Sequence, residues 1–230
     1  MRVVCIIPAF NEAESIGLVV RDIPTGLVDE IIVVNNASTD RTEINALAAG
    51  ARVVREERRG YGFACLRGIE EAKRFTPDVI VFLDGDYSDY PDEMTQLVRP
   101  IANGEAEFVI GSRMIGTREP GAMLPQAIVG NKLACGLMRF FWGGRYTDLG
   151  PFRAITVKAF DSLHMSDQTF GWTIEMQIKV LRKKLSYVEI PVSYRKRVGV
   201  SKITGTVSGT VKASVKILWT IAKYALKTKE

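Results

Sequence analysis

Five short runs dominate the first half of the chain: VVCIIP (3–8), DEIIVV (29–34), ARVVR (51–55), VIVFL (79–83) and EFVIG (107–111). They are continuous in apolar character rather than alternating, so strands made from them must bury both faces. Helix-like segments lie between them, at roughly 13–22, 40–49, 61–74 and 92–103. Strand, helix, strand in this rhythm dictates an α/β fold, with a mostly parallel central sheet and helices on both faces. A chain of 230 residues can bury a substantial core as one large domain or two small ones. The opening MRVVCIIPAF is too short in apolar character for a signal peptide or membrane span, and is expected to form the first strand.

Open parallel sheets bind ligands beyond the carboxyl ends of their strands. Four polar clusters follow the first four strands: Pro8, Ala9, Asn11 and Glu12; Asn35, Asn36, Ser38 and Asp40; Arg58, Arg59 and Gly60-Tyr61-Gly62; and Asp84-Gly85-Asp86. All four converge on one sheet edge, which is therefore the expected site. Two carboxylates at a strand end suit a hard divalent cation, Mg²⁺ or Mn²⁺, completed by substrate phosphates. An acidic turn capping the next helix would leave the same trace. Asp40 is expected to cap a helix, and Arg67 to be a charge on a helix surface.

The second half changes character. Residues 114–142 are rich in apolar side chains interrupted by charges, consistent with a core helix pair or a segment resting on a membrane surface. A strand at 151–155, a helix at 170–184, a strand at 185–190, the basic loop YRKRVGVSK (194–202) and a final helix at about 206–227 follow. Charge is divided unevenly. Residues 1–175 carry 18 Lys and Arg against 24 Asp and Glu, whereas residues 176–230 carry 13 against 2. Such a basic end suits an anionic partner: phosphate groups, acidic lipid or nucleic acid. Few aromatic residues are interleaved with these charges, which argues against nucleic acid. The lone histidine, His164, has no nucleophile pattern around it, and Cys5, Cys65 and Cys135 show no metal-ligand spacing; reduced thiols in a cytosolic setting are expected.

PAFNE (8–12), VVNNASTDRT (33–42), RRGYGFACLRG (58–68), FLDGD (82–86) and GSR (111–113) resemble, in order and spacing, the family 2 glycosyltransferases. TDLGPFRA (147–154), FGWTIEMQIK (170–179) and RKRVGVSK (195–202) are similar to its dolichol- and polyprenyl-phosphate branch. The resemblance implies a GT-A domain over residues 1–204, followed by an amphipathic helix over 205–230. It also implies metal-dependent, inverting transfer of a hexose from a UDP- or GDP-sugar to a polyprenyl phosphate at the cytoplasmic membrane face.

By position, the resemblance assigns Pro8, Ala9, Asn11, Glu12, Asn35, Arg59, Gly60, Gly62 and Gly85 to the nucleotide-sugar, and Asp84 and Asp86 to the metal and diphosphate. Asn35 stands where the family usually has an aspartate, but its amide can still pair with a base edge. Arg113 would hold the acceptor phosphate, and Arg197, Ser201 and Lys202 would close over the phosphates, with Arg153, Arg118 and Arg195 as further candidate cations. A phosphate acceptor is already largely dianionic at neutral pH and needs no base. A hydroxyl acceptor would need one, for which Glu175 and Asp148 are the candidates; either could instead orient an arginine. Two rival readings are a soluble transferase to a hydroxyl or small phosphorylated acceptor, and a non-catalytic protein binding nucleotide-sugars or membrane surfaces.

On the final helix, Lys212, Lys216, Lys223 and Lys227 share one arc beside an apolar face of Val211, Val215, Leu218, Trp219, Ala222 and Leu226. Such a basic amphipathic helix is expected either to pack on the domain or to lie in a membrane interface.

Overall fold

The structure, a computed structural model, describes residues 1–199 and 207–226. Its seven strands are β1 (Val3–Ala9), β2 (Glu30–Asn35), β3 (Arg52–Arg55), β4 (Val79–Phe82), β5 (Phe108–Ser112), β6 (Arg153–Thr156) and β7 (Tyr187–Pro191). They form one sheet in the order β3-β2-β1-β4-β6-β5-β7. Every pairing is parallel except those of β6, which runs antiparallel to both β4 and β5.

The helices are α1 (Ile16–Asp22), α2 (Thr42–Ala48), α3 (Tyr61–Ala72), α4 (Met94–Ala102), α5 (Pro125–Trp142), α6 (Val157–Leu163), α7 (Trp172–Lys183) and α8 (Val207–Leu226). Consecutive strand residues point to opposite faces, and here both faces are covered. Val4, Ile6, Ile32 and Val34 pack with Ala64, Cys65 and Ile69 of α3. Val3, Cys5, Ile7 and Val33 pack on the other side with Val19 of α1 and Leu97 of α4. This double burial is why the strands read as continuous apolar runs.

From β1 the chain winds outward through β2 to β3, then returns to place β4 on the opposite side of β1. The order reverses between β1 and β4, so the loops after these two strands flank a crevice at their carboxyl ends.

Three expectations for the second half need correction. Residues 114–142 do not form a helix pair: after an irregular stretch they make the single helix α5, with proline in its first turn, where its missing N–H costs nothing. Arg153, a candidate for phosphate binding, is a core residue of β6 and 1% exposed. Its guanidinium donates to the carbonyls of Leu149, Gly150 and Thr173, and burial lowers its pKa.

Glu175 is also corrected. It is buried in the first turn of α7, where Oε1 accepts from Ser166 Oγ (2.8 Å), Tyr224 Oη (2.7 Å) and Lys179 Nζ (2.9 Å). Oε2 accepts from the amides of Ser166 and Asp167. Burial pushes this carboxyl up, but the hydrogen bonds from Lys179, Tyr224, Asp167 and Ser166 outweigh it and hold the group down at about 2. A carboxylate so occupied is no base. It ties the segment 166–167 to α7 and to α8, and Lys216 of α8 adds an ion pair to Asp167 at 2.8 Å. On its other side the same segment touches the start of α3, where a Cβ at Gly62 would fall 2.1 Å from the Asp167 carbonyl oxygen. Gly62 therefore permits close backbone packing and does not approach a nucleotide.

Because the folded carboxyl of Glu175 titrates below its unfolded value of about 4.5, its stabilisation is present above pH 4.5 and is lost as pH falls towards 2. Glu175→Gln is expected to cost on the order of 2–3 kcal/mol at pH 7. Thermal unfolding followed by circular dichroism should show this gap shrinking by more than half at pH 3; an unchanged gap would mean that the charge is not its source.

Candidate active site

The apolar run of β4 continues through Leu83 and stops at Asp84-Gly85-Asp86, which turns beneath the crevice. Tyr61 Oη, from the first turn of α3, donates to Asp84 Oδ1 at 3.0 Å. The Ser88 amide and hydroxyl both donate to Asp86 Oδ1. Burial, and then the neighbouring charge of Asp86, push the Asp84 carboxyl up to about 7.

The chain after β7 lies across this turn. Val198 N–H donates to the Asp86 carbonyl at 3.0 Å, and Arg195 N–H to that of Ser88 at 2.9 Å. Arg197 bridges two loops, reaching Glu12 Oε1 at 2.8 Å and Asp86 Oδ2 at 3.2 Å. Arg195, a candidate for phosphate, is spent on the protein: it stacks between Tyr87 and Tyr90 and donates to the carbonyls of Tyr87 and Asp89. Arg118 likewise donates to the Arg113 carbonyl.

Between these loops opens a cavity of about 330 Å³. Of the sequence-derived residues, Pro8, Ala9, Glu12, Arg59, Gly60, Asp84, Gly85, Asp86 and Arg197 line it. Asn11 and Asn35 do not. Asn11, at φ 54°, accepts from the Thr39 amide. Asn35 accepts from the Ser38 amide and donates to Glu43. Both amides thus shape the loop after β2, which corrects the expectation that Asn35 pairs with a base edge. Asn36 takes its place on the wall, fixed by bonds to the Glu56 and Arg58 carbonyls and the Gly60 amide. Asp40 was expected to cap α2, but the cap position is Arg41; Asp40 lies one residue before it and accepts from the Thr42 amide and hydroxyl in the preceding turn. Arg67 pairs with Glu70 on the surface of α3.

Arg113 and Asp148 form a second tier behind the cavity, off its lining. Arg113 Nε and Nη2 each lie 2.9 Å from an Asp148 oxygen, and the Arg113 amide adds a third bond. Burial raises the Asp148 carboxyl, but the Arg113 guanidinium and its hydrogen bonds bring it below the usual carboxylate range. Asp148 therefore orients an arginine and has no capacity left as a base. Asn131 of α5 fixes the loop bearing it through bonds to Thr147 and Leu149. Ser201 and Lys202 lie outside the described residues.

Sequence reasoning passed over several residues here. Phe10, Tyr61, Ala64, Thr169 and Phe170 complete the cavity wall. Phe10, Tyr61, Ala64 and Phe170 lie within motifs read from the sequence but were given no role there; Thr169 lies just outside them, on the loop approaching α7, which no local pattern links to β1. Asp89 was missed as well. It is 2% exposed with neither carboxylate oxygen hydrogen-bonded, and burial, opposed by Arg113, raises its pKa well above the ordinary range. The third carboxylate of DGDYSD was its only signal.

Comparison with known proteins accords with this geometry. The chain is 31% identical over 196 residues to glycosyltransferase AglJ of Haloferax volcanii, covering 84% of this chain and 63% of that one. It thus spans less than two thirds of the AglJ length. It is 28% identical over 231 residues to the undecaprenyl-phosphate mannosyltransferase of Micrococcus luteus, covering 94% and 93% of the two chains. The crystal structure of glucosyl-3-phosphoglycerate synthase from Mycobacterium tuberculosis, in complex with Mn²⁺, UDP-glucose and phosphoglyceric acid, superposes with a TM-score of 0.79 at 24% identity. That match covers 97% of this chain and 79% of the other, and shows the shared fold. Residues 4–164 match the family model described as glycosyl transferase family 2. The chain belongs to glycosyltransferase family 2.

Proposed function

We propose that this protein transfers a hexosyl group from a nucleoside diphosphate sugar to a polyprenyl phosphate, with Mg²⁺ or Mn²⁺ held by Asp84 and Asp86. The observation that carries the choice of acceptor is the fate of the candidate bases. Glu175 is spent on five donors and Asp148 on Arg113. Among the described residues the carboxylates on the cavity wall are Glu12, Asp84 and Asp86; Glu12 is paired with Arg197. Asp89 is 2% exposed and off the cavity lining, and burial raises its pKa well above the ordinary carboxylate range. Among the described residues both bases expected for a hydroxyl nucleophile are thus engaged elsewhere, whereas a phosphate needs none.

The residues present fit a divalent cation. Two hard carboxylate oxygen donors face one cavity, and their repulsion, added to burial, pushes Asp84 up; a cation would relieve it. When bound, the ion would neutralise charge building on the departing diphosphate. Pro8, Ala9, Phe10 and Asn36 form the wall suited to the nucleoside, with Arg59 over the Phe10 ring. Arg197, already bridging Glu12 and Asp86, is placed to meet phosphate oxygens. Arg113, oriented by Asp148, would hold the acceptor phosphate. In the reaction, an acceptor phosphate oxygen bonds to the anomeric carbon as the bond to the diphosphate breaks, so the nucleoside diphosphate leaves and the configuration inverts. Similarity to the undecaprenyl-phosphate mannosyltransferase over nearly its whole length supports this reading.

A second reading is favoured by the fold shared with glucosyl-3-phosphoglycerate synthase, whose crystal structure holds phosphoglyceric acid: a small phosphorylated acceptor. A panel of radiolabelled UDP- and GDP-hexoses, assayed with Mn²⁺ against a short polyprenyl phosphate and against 3-phosphoglycerate, separates the two. Lipid-linked product that vanishes with EDTA is expected; transfer to 3-phosphoglycerate alone would move the function to the second reading. In the same assay Asp86→Ala should lower kcat/KM by about a thousandfold, or roughly 4 kcal/mol. Turnover within tenfold of the parent would remove Asp86 from the metal site.

A further inference from the structure

Away from the cavity, the C-terminal ends of α5, α7 and α8 surround a larger cleft of about 960 Å³. Among the described residues its charged lining consists of Lys179, Arg182, Lys183, Lys184 and Lys223, with no carboxylate, and Phe141 and Trp142 form part of its edge. Lys179 answers Glu175 at its back, and Arg182 and Lys223 lie over the Tyr224 ring. One cation near the carbonyl end of a helix complements the helix dipole. Five in one concavity exceed that need and build a positive potential suited to anionic groups.

Apolar side chains stand exposed beside it. On α5, Val129, Leu133 and Phe140 recur at helical spacing and are 66%, 50% and 80% exposed. On α8, which packs against α5, the apolar face read from the sequence is also left uncovered: Val215, Trp219 and Leu226 are 60%, 54% and 86% exposed. The domain holds α8 by a different face, through Thr220, Ile221 and Tyr224. Lys216, counted with the basic arc, is engaged with Asp167, and Lys227 lies outside the described residues.

We infer that this face seats the protein on an anionic lipid bilayer, with the α5 and α8 apolar side chains at the acyl boundary and the cleft among the headgroup phosphates. Charge complementarity selects that occupant. A second copy of the chain, docked face to face, would set five cations against five, and a soluble polyanion would fill the cleft yet leave both apolar stripes in water. Exposed apolar residues flanked by lysines, with a tryptophan at their edge, are what an interfacial helix presents. The inference rests on this surface and not on the acceptor proposed above.

Sedimentation of the full chain with phosphatidylcholine vesicles, with and without phosphatidylglycerol, tests it. Binding to the anionic vesicles should be at least tenfold stronger and should weaken with salt. Lys183→Glu with Lys184→Glu should erase the preference for anionic vesicles, and Phe140→Ser with Trp219→Ser should lower binding to them by about tenfold. Titration with UDP-hexose should be unchanged in both pairs, which separates loss of the surface from loss of the fold or of the donor site. Equal or absent binding to the two vesicle types would overturn the inference. So would self-association by light scattering that these substitutions abolish, or binding of inorganic polyphosphate without binding of vesicles.

Discussion

Asp84 and Asp86 are like charges at the end of a strand that is buried on both faces, and much of the molecule answers that conflict. Solvent alone cannot relieve it, because burial is the first cause of the raised Asp84 pKa and Asp86 the second. Relief comes from three directions. Tyr61 donates from α3, Ser88 donates from the turn itself, and Arg197 reaches in from beyond β7. Each brings its own segment to the crevice, so the electrostatic demand of one turn draws distant parts of the chain around a common cavity.

The same logic explains the division of charge along the sequence. The first three quarters of the chain are net acidic and the last quarter strongly basic, and the basic loop 193–199 folds back over the acidic loops after β1 and β4. Not every cation in it faces a ligand. Arg195 is consumed between two tyrosines and two carbonyls, which fixes the loop that carries Arg197. Behind this layer Arg113 and Asp148 neutralise one another in the interior, a geometry in which removing either would strand a buried charge.

What could be read from residues alone follows from how local each signal is. Strands β1 to β5 were legible because double-sided burial writes itself as an unbroken apolar run, and the loops after them because sheet topology sends them to one edge. Helix–loop polarity placed Asp40 at the entry to α2 but one residue short of the cap, which is Arg41. Arg153, Glu175 and Gly62 were misread because their roles depend on partners distant in sequence or in the backbone: carbonyls around 149–150 and 173, Tyr224 of α8, and the Asp167 carbonyl. A buried arginine on backbone carbonyls and an arginine awaiting phosphate look alike in one dimension. Asn35 failed for a related reason, since an amide offers donor and acceptor to the loop as readily as to a base.

The segment 166–171 links the cavity to α8. Thr169 and Phe170 form part of the cavity wall. Three residues away, Ser166 and Asp167 are held by Glu175, which is itself bonded to Tyr224 of α8, and Asp167 is paired with Lys216 of the same helix. The outer side of α8 presents its uncovered apolar residues to the surroundings. One helix therefore braces the cavity wall with one face and leaves the apolar residues of the other uncovered, so the wall and the outer surface share one structural element.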